Sequence, residues 1–169
     1  MLEILHQDQE RLCLRADSES DTRQFGECLA SALTAGDVVA LSGDLGAGKT
    51  RLVKGIASGL DVADDEVNSP TFTLIQEYSG RVTIRHCDTY RLRDPDEFLD
   101  LGLDELFSSD GIALVEWADR VEHLLPRDVL FIRIEITSPE SRQFWVEPRG
   151  KRSRETWLRI VEALRRTNA

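Results

Sequence analysis

The feature that most constrains this chain is one short segment, Gly43-Asp44-Leu45-Gly46-Ala47-Gly48-Lys49-Thr50. It satisfies G-x-x-x-x-G-K-[ST], a loop whose glycines let consecutive backbone N–H groups converge on phosphate oxygens. Val38-Val39-Ala40-Leu41, just before it, reads as a short strand buried on both faces. Residues 49 to 59 read as a helix with Leu52, Val53, Ile56 and Ala57 on one side and Gly59 at its end. This strand, loop and helix order is the context that gives the pattern meaning. The helix would add the positive end of its dipole to the anion site. Lys49 is expected to reach the β- and γ-phosphates of a nucleotide, and the Thr50 hydroxyl to ligate Mg²⁺.

The rest of the chain alternates in the same way. Glu10 to Arg15 reads as a strand, and Ser18 or Ser20 could cap a helix running to Leu33 with Phe25, Leu29, Ala32 and Leu33 on its apolar stripe. Thr73 to Tyr78 and Arg81 to Cys87 resemble a hairpin turning at Ser79-Gly80. A helix is expected from Pro95 to Phe107, and Ile112 to Val115 is a second continuous apolar strand. Leu130 to Ile136 alternates with period two, Phe144 to Val146 would pair with it, and Arg154 to Leu164 forms a closing helix within a basic segment, 153–167. The order suggests an α/β sandwich with an antiparallel portion. No repeat or flexible linker marks a second domain, so residues 1–169 read as a single domain.

Charge and cysteine usage narrow the setting. With 31 acidic against 21 basic residues the net charge is −10, and the overall field should repel a nucleic-acid backbone. The exception is Arg149, Lys151, Arg152 and Arg154, rejoined by Arg159, Arg165 and Arg166, which reads as a solvated helix face or a docking patch. Cys13, Cys28 and Cys87 match no zinc spacing and read as small buried hydrophobes. No signal-like start or membrane-length apolar run is present, so a soluble protein of a reducing cytoplasm is expected.

A metal held by Thr50 and phosphates calls for an acid from a neighbouring strand end. Glu116, following four apolar residues, is the favoured metal-site acid. Asp88 would lie near the γ-phosphate and orient water, or equally serve as a strand-end turn acid or an Arg91 partner. Asn68-Ser69-Pro70-Thr71-Phe72-Thr73 occupies a place where nucleotide switches put a hydroxyl, although spacing alone also allows a proline turn. Trp117 reads as core on composition alone. His86 has no partners at metal-site spacing, since His6 and His123 are distant in sequence.

Gly43 to Thr50, Ser69-Pro70-Thr71-Phe72-Thr73-Leu74, His86-Cys87-Asp88-Thr89-Tyr90-Arg91-Leu92 and Glu116-Trp117 together resemble the TsaE (YjeE) family, the ATPase component of bacterial tRNA threonylcarbamoyladenosine biosynthesis. The likeness spans about residues 17 to 125. It implies a three-layer P-loop NTPase fold with a central mixed, partly antiparallel sheet, and ATP and Mg²⁺ as ligands. It also implies nucleotide-dependent docking on TsaD-like and TsaB-like partners, with tRNA reached only through that complex. By this carry-over Thr50 and Glu116 match the Mg²⁺ ligands, while Lys49, Asp88, Glu116 and Trp117 match residues of turnover. Asp44, Leu45, Gly46, Ala47, Gly48, Lys49, Thr50, Arg51, Thr71 and Asp88 fall to the phosphate side, and Glu19, Thr22 and Arg142 to the nucleotide's remaining surface. Ala118, where many relatives carry proline, and Arg51, where many carry a hydroxyl residue, are the departures.

A small-molecule P-loop kinase is the main enzymatic alternative, but it needs an arginine-bearing lid that the sequence does not display. A nucleotide-gated binding module without productive hydrolysis is the other. A guanine-reading N-K-x-D pattern is absent. If Lys49 supplies a charge-assisted contact of about 2 kcal/mol, Lys49→Ala weakens nucleotide binding about 30-fold. Calorimetry showing unchanged affinity would contradict the phosphate-loop assignment.

Overall fold

Val38, Val39, Ala40 and Leu41 are all buried, and the strand they form lies at the centre of the molecule. The computed structural model describes residues 1–68 and 74–169. Its strands are β1 Glu3–Gln7, β2 Leu12–Ala16, β3 Val38–Gly43, β4 Ile75–Ser79, β5 Thr83–Asp88, β6 Gly111–Glu116, β7 Leu130–Ile136 and β8 Arg142–Pro148. Its helices are α1 Glu19–Ala32, α2 Lys49–Gly59, α3 Leu103–Leu106 and α4 Lys151–Thr167, with 3-10 segments at Asp64–Glu66, Pro95–Leu101 and Ala118–Leu124.

The strands form one eight-stranded sheet in the order β1-β2-β8-β7-β3-β6-β5-β4. Its middle, β7, β3, β6 and β5, is parallel, and the two inner strands β3 and β6 are the continuous apolar runs that burial on both faces favours. The flanks are antiparallel: β4 on β5 at one side, and β8, β2 and β1 beyond β7 at the other. This is an α/β fold with a mixed sheet, and the hairpin expected around Ser79-Gly80 is present.

Alternation along β3 divides the core. Val39 and Leu41 join Phe25, Leu29, Leu52, Ile56, Trp157 and Ile160 under α1, α2 and α4. Val38 and Ala40 join Phe98, Leu106, Val115, Val121 and Phe131 under the 3-10 segments and α3. The second layer is thinner than the sequence suggested. Pro95 to Phe107 does not make one helix, because Gly102 sits in the left-handed region at φ 80° and separates the 3-10 segment from a single helical turn. The first strand begins at Leu12 rather than Glu10, and β1 was not expected at all.

Ser18, not Ser20, caps α1, its Oγ accepting from the Asp21 amide at 3.1 Å. Helices α1 and α2 meet backbone to backbone: a Cβ on Gly26 would stand 2.7 Å from the Gly55 Cα. α4 has no side-chain cap of its own at Gly150. Asp128, remote in sequence, supplies it, accepting from the Arg152 and Ser153 amides at 2.8 and 2.9 Å.

Most of the basic cluster on and before α4 is engaged within the fold. Arg152 Nε pairs with the buried Asp37 at 2.8 Å, and Asp37 also accepts from the Thr34 amide and the Thr156 hydroxyl. Arg149 meets Glu122 at 2.5 Å, and Arg154, Arg159 and Arg165 donate to Gln9, Ala32 and Gln7. These contacts bind α4 to the sheet and to α1 rather than leaving a uniform cationic face. Among the described residues no helix is long and apolar enough to cross a membrane.

Because Gly26 lies against the backbone of α2, Gly26→Ala forces the two helices apart. Overpacking of this kind costs about 1–3 kcal/mol and should lower the thermal midpoint by roughly 2–12 °C. An unchanged midpoint would show that the contact between the helices yields without cost.

Candidate functional site

Where β3 ends, the chain turns through Gly43, Gly46 and Gly48 at φ 154°, 80° and 104° before α2 begins. A Cβ added at Gly46 or Gly48 would meet nothing within 4 Å, so the loop's inner side is open. In contrast to α1, the N-terminus of α2 carries no capping side chain and no acid in its first turn. Its amides and dipole are left to an external anion. The sequence motif thus folds into the cradle it describes.

Lys49 is buried and donates from Nζ to the Gly43 and Asp44 carbonyls at 2.6 and 3.0 Å. Burial pushes its pKa down, while the carboxylates of Glu116, Asp88, Asp119 and Asp44 hold it up. The ammonium also lies 3.8 Å from the centre of the Trp117 ring. Trp117 is one of two non-glycine residues at positive φ among the described residues, at 57°, a conformation that costs an aromatic residue about 1–3 kcal/mol. The Tyr90 and Trp117 ring centroids lie 4.8 Å apart at a tilt of 37°, and Trp117 lines the cleft beside Lys49 rather than sitting in the core.

Parallel pairing of β5 with β6 sets Asp88 opposite Glu116, and both end their strands beside the loop. The Thr50 hydroxyl donates to Glu116 at 2.8 Å from Oε1 and 3.1 Å from Oε2. A hydroxyl and a carboxylate held together at the loop's mouth are the hard oxygen donors a divalent cation such as Mg²⁺ takes. Asp88 is buried and accepts from the Tyr90 amide at 2.9 Å. That bond is a strand-end turn contact, and it leaves the carboxylate within the same cleft as Glu116.

The cleft itself has a volume of about 1020 Å³. Of the residues singled out from sequence, Glu19, Thr22, Leu45, Gly46, Ala47, Gly48, Lys49, Thr50, Arg51, Asp88, Glu116, Trp117 and Arg142 line it. Asp44 is exposed and does not line it, contributing its carbonyl to Lys49 instead. Thr71 lies outside the described residues. Glu19 pairs with Arg51 across the N-termini of α1 and α2. Arg142, entering from β8, donates to the Ala47 and Gly46 carbonyls at 2.9 and 3.2 Å, and from its other nitrogen to Ser138, Pro139 and Ser141. It braces the loop by holding the Gly46 and Ala47 carbonyls.

Several participants escaped the sequence reading. Tyr90 was only part of a motif, and Thr89 ties the two strand ends through its hydroxyl to the Trp117 and Glu116 carbonyls at 2.8 and 3.1 Å. Arg120 holds the same turn by donating to the Leu92 carbonyl at 2.8 Å. His86 and Tyr78 stand directly behind Glu116. The H-x-D-x-Y-R-L run was the available signal for all but Arg120 and Tyr78.

Comparison with known proteins matches residues 16–144 to the family model described as threonylcarbamoyl adenosine biosynthesis protein TsaE. The chain belongs to the TsaE family. It is 42% identical over 139 residues to the tRNA threonylcarbamoyladenosine biosynthesis protein TsaE of Bacillus subtilis, covering 82% of this chain and 86% of that one. The protein of the same name from Treponema pallidum is 40% identical over 129 residues, covering 76% and 95%. The crystal structure of Bacillus subtilis YdiB superposes with a TM-score of 0.75 at 33% identity, covering 99% of each chain. Every sequence element named above for the TsaE resemblance, from the loop to Glu116-Trp117, falls inside the matched span. Helix α4 lies beyond it.

Proposed function

We propose that this TsaE-family chain binds Mg-ATP and in that state docks on a TsaB–TsaD-like pair, and that its slow hydrolysis of the ATP resets the complex between modification cycles. In that role it supports threonylcarbamoylation of the adenosine beside the anticodon in tRNA. The observation that carries the reading is the Thr50 hydroxyl seated on the Glu116 carboxylate at the open end of the glycine loop. Membership of the family, with its named role in threonylcarbamoyladenosine biosynthesis, supplies the biological context.

On this reading the amides from Gly46 to Thr50 receive the phosphate chain and Lys49 neutralises its terminal charge. Thr50 and Glu116 would hold Mg²⁺, which when bound would offset negative charge on the phosphate oxygens. Asp88 orients the attacking water, whose oxygen bonds to the γ-phosphorus as the bond to the β–γ bridging oxygen breaks. The ring of Trp117, gripped by Tyr90, shields the Lys49 side of the cleft from bulk water. Glu19 and Thr22, in the first turn of α1, border the nucleoside end, Arg51 stands on the phosphate side at the start of α2, and Arg142 holds the loop in shape through its carbonyls. The net charge of −10 disfavours a direct grip on tRNA and fits contact through partner proteins.

The test is retention on immobilised TsaB and TsaD proteins from the same organism, with Mg-ATP and without nucleotide. Retention is expected only with Mg-ATP, and Asp88→Ala should lower ATP turnover at least ~100-fold while leaving retention intact. Equal retention under both conditions would remove the nucleotide-dependent switch.

A further inference from the structure

Behind Glu116 the interior of the sheet turns polar. His86 is fully buried, on a strand position flanked by Ile84 and paired with Leu114. An imidazole in such surroundings is tolerated only if its nitrogens find partners. Both do: Nε2 lies 2.5 Å from Glu116 Oε2, and Nδ1 lies 2.9 Å from the Tyr78 hydroxyl. Tyr78 is buried too, its hydroxyl also 2.7 Å from Gln76 Oε1 and 3.4 Å from the Asn68 carbonyl. A polar chain therefore runs across three adjacent strands, from β4 through β5 to the tip of β6, and ends at the Thr50 hydroxyl.

The chemistry of the groups fixes the direction of the critical contact. An ionised carboxylate only accepts, so Nε2 of His86 carries the hydrogen and donates it to Glu116. Oε2 is thereby occupied from behind, and Oε1 is the oxygen closer to Thr50. Without that grip the Glu116 side chain could rotate about bonds that burial alone does not lock.

We propose that His86 is a positioning residue for the metal-site carboxylate: its Nε2–H holds Oε2 of Glu116 so that Oε1 faces Thr50 and a divalent cation, with Tyr78 fixing the ring. The proposal rests on the reading of Thr50 and Glu116 as cation ligands. His86 touches neither nucleotide nor cation and acts wholly through Glu116. Outer partners of this kind orient a ligand and raise metal affinity by about 10–100-fold.

The experiment measures calorimetric affinity of the full chain for a non-hydrolysable ATP analogue in excess Mg²⁺ and again in EDTA, and takes the ratio as the gain due to magnesium. His86→Leu, which keeps bulk and loses the donor, should reduce that ratio about 10-fold while leaving the EDTA affinity unchanged. His86→Gln, whose amide N–H reaches toward the same oxygen, should restore most of it, a rescue that mere filling of space does not predict. Tyr78→Phe should reduce the ratio by a smaller factor, and it carries the test alone should His86→Leu fail to fold. A wild-type ratio in His86→Leu, or in Tyr78→Phe where only that variant folds, overturns the proposal. Glu116→Gln serves as the reference: it should lose the gain due to magnesium. If it does not, the metal-site reading fails and the His86 proposal falls with it, a result separable from a failure confined to His86.

Discussion

Three glycines with positive φ, at the end of one central strand, are the constraint from which the rest of the site follows. A side chain at Gly46 or Gly48 would be strained and would project into the open side of the loop. Without side chains at Gly46 and Gly48 the inner side of the loop stays open, the Ala47 amide closes a turn on the Asp44 carbonyl at 3.0 Å, and α2 begins there without any cap of its own. Such an arrangement is unsatisfied by the protein alone and calls for an anion. Lys49 and Arg142 hold the turn through four of its carbonyls, those of Gly43, Asp44, Ala47 and Gly46.

The sheet supplies what the loop cannot. Parallel pairing brings the ends of β5 and β6 into register beside β3, and with them Asp88, Glu116 and the turn that carries Trp117. Thr89 and Arg120 knit the two strand ends together, which keeps the acids at a fixed height above the sheet. The unusual backbone at Trp117 then has an explanation in geometry. In that conformation its ring lies 3.8 Å from the Lys49 ammonium and against Tyr90. Backbone strain at one residue is offset by a cation–π contact and an aromatic stack.

How much of this the sequence displayed depends on whether the signal was local. The loop, β3 and α2 were legible because glycine spacing and an apolar run are local patterns, and Leu130 to Ile136 matched strand β7 from end to end. The layer formed by residues 95 to 107 was misread as a helix, since a run of leucines does not reveal that Gly102 breaks it. β1 is mostly exposed at a sheet edge and offers no clean alternation to read. His86 is thirty residues from Glu116, and only the parallel register makes them neighbours, so its place at the head of the H-x-D-x-Y-R-L run marked it without revealing its partner. Helix α4 was visible, but its arginines were legible only as charge; their partners, Asp37, Gln9, Ala32 and Gln7, come from distant parts of the chain.

The central claim is that the glycine turn binds the phosphates of a nucleotide through main-chain amides, with Thr50 and Glu116 beside the bound cation. The most direct measurement is a crystal structure of the chain with Mg²⁺ and a non-hydrolysable ATP analogue. The account predicts phosphate oxygens within hydrogen-bonding distance of the amides from Gly46 to Thr50, and the metal ion on the Thr50 and Glu116 side of the loop. An analogue bound elsewhere, or a loop whose amides face away from it, would contradict the account.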